Sequence, residues 1–326
     1  MREEVVSTNG RELVEAIRKV DGQRHLCIEE GTQSEWLYEL LEPHVEELVV
    51  TAPAESQGQK SDSKDAWARA EDLRIGRIET KVFKPAGRYR ELREAVRGYS
   101  LMVRDVTRVK NRLKALFRSR GMYGMQEELY QPGTRDKWLG KLGPSQRRLG
   151  ELMSEELEGL AKLAEQANER LRSEAKKHPI IRRLATAPGL GPIRAAEVVA
   201  VVVTPERFRT KRQFWSYCGL GIVTRTSADW VREGKRWVRA PVTQTRGLTR
   251  KRNPMLKSVF KGAAMSVTHM SDHPLKRGYE RLLEAGTKPN LAQVTIARRI
   301  AAIVLAMWKN QEDYDPRKQE PPAQMP

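Results

Sequence analysis

Only two cysteines, Cys27 and Cys218, occur among the 326 residues, with five histidines and 6% aromatic side chains. Two thiols cannot build a disulfide framework, and neither they nor the histidines show metal-ligand spacing. They read as buried thiols in a reducing cytosol. Long apolar runs are also missing. The longest, Val198–Val203 and Ala301–Trp308, fall far short of the roughly 18–20 residues of a membrane-spanning helix. No charged n-region and apolar h-region follow Met1, so a cytoplasmic protein without a secretory signal is expected. Acids are scarce beside bases: 42 Asp+Glu face 60 Lys+Arg, a net charge of +18. A hydrophobic share of 39% excludes wholesale disorder. What is left is a globular, basic chain whose expected partners are polyanions.

The charge is unevenly placed. Residues 1–84 hold 12 basic and 18 acidic side chains, residues 85–178 hold 21 and 13, and residues 179–326 hold 27 and 11. The net values are −6, +8 and +16. An acidic module followed by two increasingly basic ones suggests a division of labour. Acids in a nucleic-acid-binding chain need a reason, and divalent metal is one.

In the first module, helices are predicted at Arg11–Val20, Gln33–Leu41 and Ser61–Leu73. Strands are predicted at His25–Ile28, ending at Glu29-Glu30-Gly31-Thr32, and at Glu47–Thr51. This alternation predicts an α/β sheet with parallel neighbours. The polar stretch Ala54–Lys60 reads as a loop at the mouth of a site. The second module, residues 85–178, is a helical arm. Leu92, Val96, Tyr99, Val103, Val106, Lys110, Leu113 and Phe117 form an a/d seam. After a Gly- and Pro-rich break over Gly121–Pro144, a second helix carries Leu157, Leu160, Ala164, Ala167 and Leu171 on one stripe. Either an intramolecular hairpin or a dimer arm fits this pattern. Residues 179–310 read as a mostly helical C-terminal domain, with helices at Ile193–Val203, Pro254–Met270 and Leu291–Lys309. Gln311–Pro326 reads as a disordered tail.

Several residues have the chemistry for a site. Glu29 stands at the carboxyl end of a predicted strand, where open α/β sheets place ligands, and Glu30 is the alternative inward acid. Asp62 and Asp65 share one face at a helix start. With Glu29 they would cradle one or two Mg²⁺ ions; alternatively they cap the helix and meet its dipole. Pro188-Gly189-Leu190-Gly191 is either a tight turn or the turn of a helix-hairpin-helix element that meets phosphate through backbone N–H groups. Residues 231–261 carry Arg232, Lys235, Arg236, Arg239, Arg246, Arg250, Lys251, Arg252, Lys257 and Lys261 against Glu233 alone, with Trp230 and Trp237 interleaved to stack on bases. Ser227, two residues after Arg225, is either an ordinary serine with no chemical role or a nucleophile toward phosphate, with the arginine stabilising charge.

Taken in order, these pieces resemble a known family. Ile28-Glu29-Glu30-Gly31-Thr32, then Lys60-Ser61-Asp62-Ser63-Lys64-Asp65-Ala66, the helical hairpin, and Thr186-Ala187-Pro188-Gly189-Leu190-Gly191 with Ala195-Ala196 come first. Phe208, Tyr217-Cys218-Gly219-Leu220 and Ser227 follow. The order is similar to that of DEDD-type insertion-sequence transposases, the group of the Piv/MooV invertases and the bridge-RNA-guided recombinases, over about residues 5–310. The resemblance implies an RNase H/RuvC-like N-terminal domain with four metal-binding acids, a coiled-coil arm forming a homodimer or tetramer, and a C-terminal domain with a nucleophilic serine. It further implies strand exchange on DNA through a phosphoserine intermediate, guided by a structured RNA, with Mg²⁺ or Mn²⁺ as cofactor and no membrane. By position, Glu29 matches the second acid, Asp62 the third, Asp65 the fourth and Ser227 the serine, although Ala228 follows where the family usually has glycine. The family's first acid is an Asp on an opening strand. Here only 28 residues precede Glu29, and Val5–Ser7 looks like the third strand. The first two strands are therefore expected to be missing, and Asp21, in a helix-to-strand loop, is a poor substitute. The function expected is a transposase or site-specific recombinase. The alternatives are a non-catalytic nucleic-acid-binding remnant and a resolvase-like nuclease that uses metal-activated water.

Overall fold

Two short stretches with apolar centres, Leu26-Cys27-Ile28 and Leu48-Val49-Val50, become the sheet of the first unit. The computed structural model describes residues 3–53, 61–78, 81–84, 87–224, 230–239, 245–250 and 252–319. The chain divides into two units, Met1–Arg88 and Tyr89–Pro326. In the first, Asn9 accepts from Arg11 N (2.9 Å) and starts α1 (Gly10–Arg18). Then come β1 (His25–Glu29), α2 (Ser34–Leu41), β2 (Glu47–Thr51) and α3 (Asp62–Arg74). β1 and β2 pair in parallel, with His25 opposite Glu47 and Glu29 opposite Thr51. Val49 and Val50 of β2 are buried, as is Leu41 at the end of α2.

The expected third strand at Val5–Ser7 does not form, and Val5 is 96% exposed. An isolated β-branched segment has no ladder partner here. Ser7 Oγ instead donates to Glu12 Oε2 (2.5 Å), ahead of α1. The predicted loop Ala54–Lys60 lies outside the described residues.

The second unit opens on α4 (Arg90–Arg118), continues through α5 (Pro132–Leu139) and returns along α6 (Pro144–Lys176). α4 and α6 pair antiparallel within the chain, with Arg170 3.8 Å from Glu91 and Arg112 3.8 Å from Glu156. At the far end Leu113, Phe117, Met125, Leu129, Leu139 and Leu142 form a small core, where Phe117 meets Trp138 edge-on at 6.2 Å. The seam is not quite the expected one. Val109 is buried where Lys110 was expected, and Val103 is exposed while Met102 is partly covered. A straight helix of 3.6 residues per turn drifts from a strict 3.5 repeat, and here it moves the contact line by one residue.

Pro179 and Pro192, each in a first helical turn, begin α7 (Pro179–Leu184) and α8 (Gly191–Val202). Thr210 and Gln213 make a reciprocal capping box at α9 (Lys211–Tyr217). Two antiparallel pairs follow, β3 (Ile222–Thr224) with β6 (Thr245–Leu248) and β4 (Trp230–Glu233) with β5 (Arg236–Arg239). These strands were not expected in a mostly helical domain. α10 (Pro254–Thr268), α11 (Pro274–Glu284) and α12 (Pro289–Asn310) complete the unit.

α12 is long and apolar enough to cross a membrane by length and composition, contrary to the reading of its runs. It lies in the core, with Ile296, Ile300, Val304 and Trp308 buried among residues of α8, α9 and α10. Leu92 and Leu171 of the long helices belong to the same core. Residues 311–319, expected to be disordered, are held: Tyr314 N donates to Thr186 Oγ1 (3.0 Å) and its ring stacks on His273. Cys218 is buried as expected, whereas Cys27 is half-buried; burial pushes both thiols up.

Glu197 of α8 is mostly buried, and that desolvation raises its carboxyl from 4.5 to about 7 despite the nearby Arg194. A carboxyl whose folded pKa exceeds its unfolded one stabilises at low pH, and that stability is lost as pH rises from about 4.5 through about 7. The loss is at most about 3 kcal/mol. Glu197→Gln should therefore raise the melting temperature at pH 8 and lose that advantage by pH 4.5, as thermal melts across this range would show.

Candidate nucleic-acid interface

The basic stretch leaves the helical core and returns to it at two anchored points. Leu220 is fully buried, and Arg298 Nε donates to its carbonyl oxygen (2.7 Å). Trp215 Nε1 in turn donates to the Arg298 carbonyl (2.9 Å). On the returning strand Thr249 N donates to Gly221 O and Asn253 N to Tyr217 O, each at 2.9 Å. Asn253 then caps α10 by accepting from Leu256 N. The stretch that carries β3 to β6 is thus stapled to the helices at both of its ends.

In the ribbon, Trp230 lies opposite Arg239, Arg232 opposite Trp237 and Glu233 opposite Arg236, with Gly234 and Lys235 at the turn. The side chains of Arg232, Lys235, Arg236, Arg250 and Arg252 are exposed. Among the described residues none of these five, nor Lys257 or Lys261, is within ion-pair distance of a carboxylate. Burial depresses the Lys257 ammonium, and Arg252 and Lys261 push it the same way. Cations gathered this closely, with no carboxylate among the described residues to pair them, mark a site of positive potential. Arg239 and Arg246 are placed by backbone alone, in β5 and β6. Ser227, Arg225 and Lys251 lie outside the described residues. In the sequence Ser227 falls between β3 and β4, three residues from both Thr224 and Trp230.

The Pro-Gly-Leu-Gly turn serves packing first. Pro188 and Leu190 are buried, and Gly189 has φ +72. A Cβ there would stand 2.4 Å from Ala263 O of α10. Arg194 Nη1 closes the turn by donating to Gly189 O (2.6 Å) and Ser266 Oγ (3.0 Å). Gly191, φ +61, faces open space at the start of α8.

The acids of the first unit are differently placed. Glu29 ends β1 as expected and is exposed. The last turn of α3 and the first residues of β1 line one cavity of about 570 Å³. Further along α3, Arg69 Nη2 donates to Ala52 O just beyond β2 (3.1 Å). α3 therefore runs against β1, and its first turn, with Asp62 and Asp65, lies toward the carboxyl ends of the strands. Ser61 holds the capping position and makes no side-chain cap, so neither aspartate is the cap. Yet among the described residues no three His, Cys, Asp or Glu side chains converge as metal ligands. Glu30, the alternative acid, is neutralised: Lys84 Nζ, whose side chain is only 9% exposed, donates to Glu30 Oε2 (2.6 Å) and to buried Ser34 Oγ (2.9 Å). As placed, these residues do not fit the four-acid cation site that the resemblance implies.

Residues 181–280 match the family described as Transposase IS116/IS110/IS902, and residues 7–120 match the DEDD transposase family of IS110. The chain belongs to the IS110-type DEDD transposases. No curated protein gives a significant match. The two matched stretches include the parallel strand pair, α4, the Gly189 turn and the whole ribbon of this transposase.

Two features went unread in the sequence. The ribbon is visible in retrospect: Trp230-Val231-Arg232-Glu233-Gly234-Lys235-Arg236-Trp237-Val238-Arg239 alternates on both sides of a two-residue turn containing glycine. The Lys84–Glu30 pair carried no local signal. Gly189→Ala is expected to cost more than about 3 kcal/mol, because it adds backbone overlap with α10 to the roughly 1–2 kcal/mol of left-handed strain. Gly191→Ala should cost only the strain. Urea unfolding of the two variants checks the difference.

Proposed function

We propose that this transposase cleaves and rejoins DNA strands during transposition of an insertion sequence, with Ser227 as the nucleophile. The observation that supports the reading is a run of exposed cations, Arg232, Lys235, Arg236, Arg250 and Arg252, without a carboxylate partner among the described residues, in a region that matches the transposase family and whose sequence contains Ser227. Ser227 Oγ attacks the scissile phosphorus. The new O–P bond replaces the bond to one deoxyribose oxygen, which leaves as a hydroxyl after taking up a proton, while the serine proton passes to solvent. Attack by a hydroxyl of the exchanging strand reverses these steps, seals the new junction and frees the serine. One phosphoester is exchanged for another, so no external energy source is needed.

Chain residues supply the rest. Arg225 stabilises the developing charge on phosphate. Arg232, Lys235, Arg236, Arg239, Arg246, Arg250, Lys251 and Arg252 neutralise the backbone of DNA and of a structured guide RNA. Gly191, at the open start of α8, offers its N–H to a phosphate. The first unit is an RNase H/RuvC-like domain whose Glu29, Asp62 and Asp65 face the strand ends. No step is assigned to a metal, since these donors stand apart. Exposed Leu149, Leu152 and Leu163 on α6 support assembly of the helical pair into a homodimer or tetramer.

The experiment is trapping of a protein–DNA adduct on a substrate carrying the element's end, resolved on a denaturing gel. The wild type should form the adduct and Ser227→Ala should not, while both bind the DNA equally. An adduct in the alanine variant would place the nucleophile elsewhere. Cleavage without any adduct would favour water as the attacking group, and binding without either product would mark a non-catalytic remnant.

A further inference from the structure

The ribbon's ring-bearing face has a chemistry that backbone contacts do not use. Successive residues of a strand point to opposite faces, and residues opposite each other in a pair share a face. Trp230 and Arg232 therefore share a face of β4, and Trp237, opposite Arg232, joins them from β5. The turn is two residues long, so Arg232 and Trp237 form a non-hydrogen-bonded pair, the kind whose side chains approach most closely. Trp230 and Trp237 are diagonal neighbours, about 7–8 Å apart by the usual spacing.

Both indoles are open to solvent, at 59% and 67% exposure. No ring contact joins them, and neither indole N–H has a partner among the described residues. Arg232 is held along the ribbon, its Nε donating to Gly234 O (3.2 Å). Lys235 and Arg236 stand at the tip without carboxylate partners.

The occupant of such a face must satisfy two demands. It has to offer flat apolar surface to two separate indoles, and it has to bring negative charge to several cations around them. An apolar protein face would bury those cations unpaired, at a high desolvation cost. Intact duplex supplies the phosphates, but its bases are closed in the stack. An unpaired strand supplies both at once, with phosphates along its backbone and free base faces beside them.

We infer that the Trp230/Trp237 face of the β4–β5 ribbon binds unpaired nucleotides, stacking bases on the two indoles while Arg232, Lys235 and Arg236 track the backbone. This rests on the transposase reading and adds to it which form of the nucleic acid the ribbon takes. The ribbon begins three residues after Ser227, so the unpaired strand is held beside the proposed point of attack. That is where strand exchange must separate a duplex.

The test uses the full chain and labelled probes of about 12 nucleotides, within the site size typical of such grooves. Oligothymidylate, oligouridylate and a duplex of equal length are titrated by fluorescence anisotropy. Trp230→Ala/Trp237→Ala should lose at least about 30-fold in single-strand affinity, taking roughly 1 kcal/mol per stacked base. Its duplex affinity should stay within about twofold, and Trp230→Phe/Trp237→Phe should recover most of the loss. Preference for the thymidylate or the uridylate probe identifies the strand as DNA or guide RNA. Equal losses on single strand and duplex, or no loss on either, overturn the inference while leaving the transposase reading intact. Tryptophan-dependent binding to anionic lipid vesicles with no single-strand binding would overturn it in favour of a membrane surface. A wild type that binds neither single strand nor duplex overturns both.

Discussion

Close approach of backbones in the C-terminal unit governs where its basic surface lies. Ala195, Ala196, Ala263, Ala264, Ala297 and Ala301 are all fully buried where α8, α10 and α12 belong to one core. At Gly189 the turn before α8 comes so near α10 that a single added carbon would overlap a carbonyl oxygen. Helices packed at this distance lose little by having small side chains, because each alanine face lets more distant atoms into contact. The same packing sets Arg298 of α12 under Leu220 and Asn253, the cap of α10, beside Tyr217. Both ends of the basic excursion are thereby fixed to the rigid part of the unit. A positively charged ribbon that repels itself is held in place by neutral contacts below it.

Charge then works against its own neighbourhood. Burial, and then the nearby Arg252 and Lys261, lower the proton affinity of Lys257, and the ribbon adds Arg232, Lys235 and Arg236 with only Glu233 among them. Such a surface costs stability in the free protein. A polyanion relieves the repulsion on binding, so part of its affinity comes from strain already present. In the first unit the balance is reversed. Lys84 settles on Glu30 and Ser34, so one of the two acids at the strand end has an internal cation as its counter-charge.

Where periodicity or local chemistry was strong, the sequence was enough. Glu29 at a strand end, the parallel pair built on Val49 and Val50, and the two long helices followed from alternation and from 3.6-residue spacing. Val5–Ser7 misled because β-branched residues make a strand only beside a partner. The seam slipped at Met102 and Val109 because a heptad template does not match the true pitch. Charge concealed the ribbon: ten basic residues drew attention away from the alternation beneath them. The Lys84–Ser34 contact joins residues 50 apart, which no local pattern encodes. α12 was underrated because Arg298 and Arg299 interrupt its apolar runs, while its inner face remains continuous.

That inner face has a consequence for the order in which the protein is made. α12 is the last long helix of the described chain, and it covers apolar surfaces of α8, α9 and α10 synthesised well before it. Until it emerges, those surfaces have no lid and the anchors of the excursion have no Arg298 to hold Leu220. The nascent C-terminal unit therefore passes through a stage with exposed apolar helices and an untethered basic segment, a species prone to association. Closure by one late helix makes the nucleic-acid surface and the folded core appear together, so an unfinished chain carries the charge without the geometry.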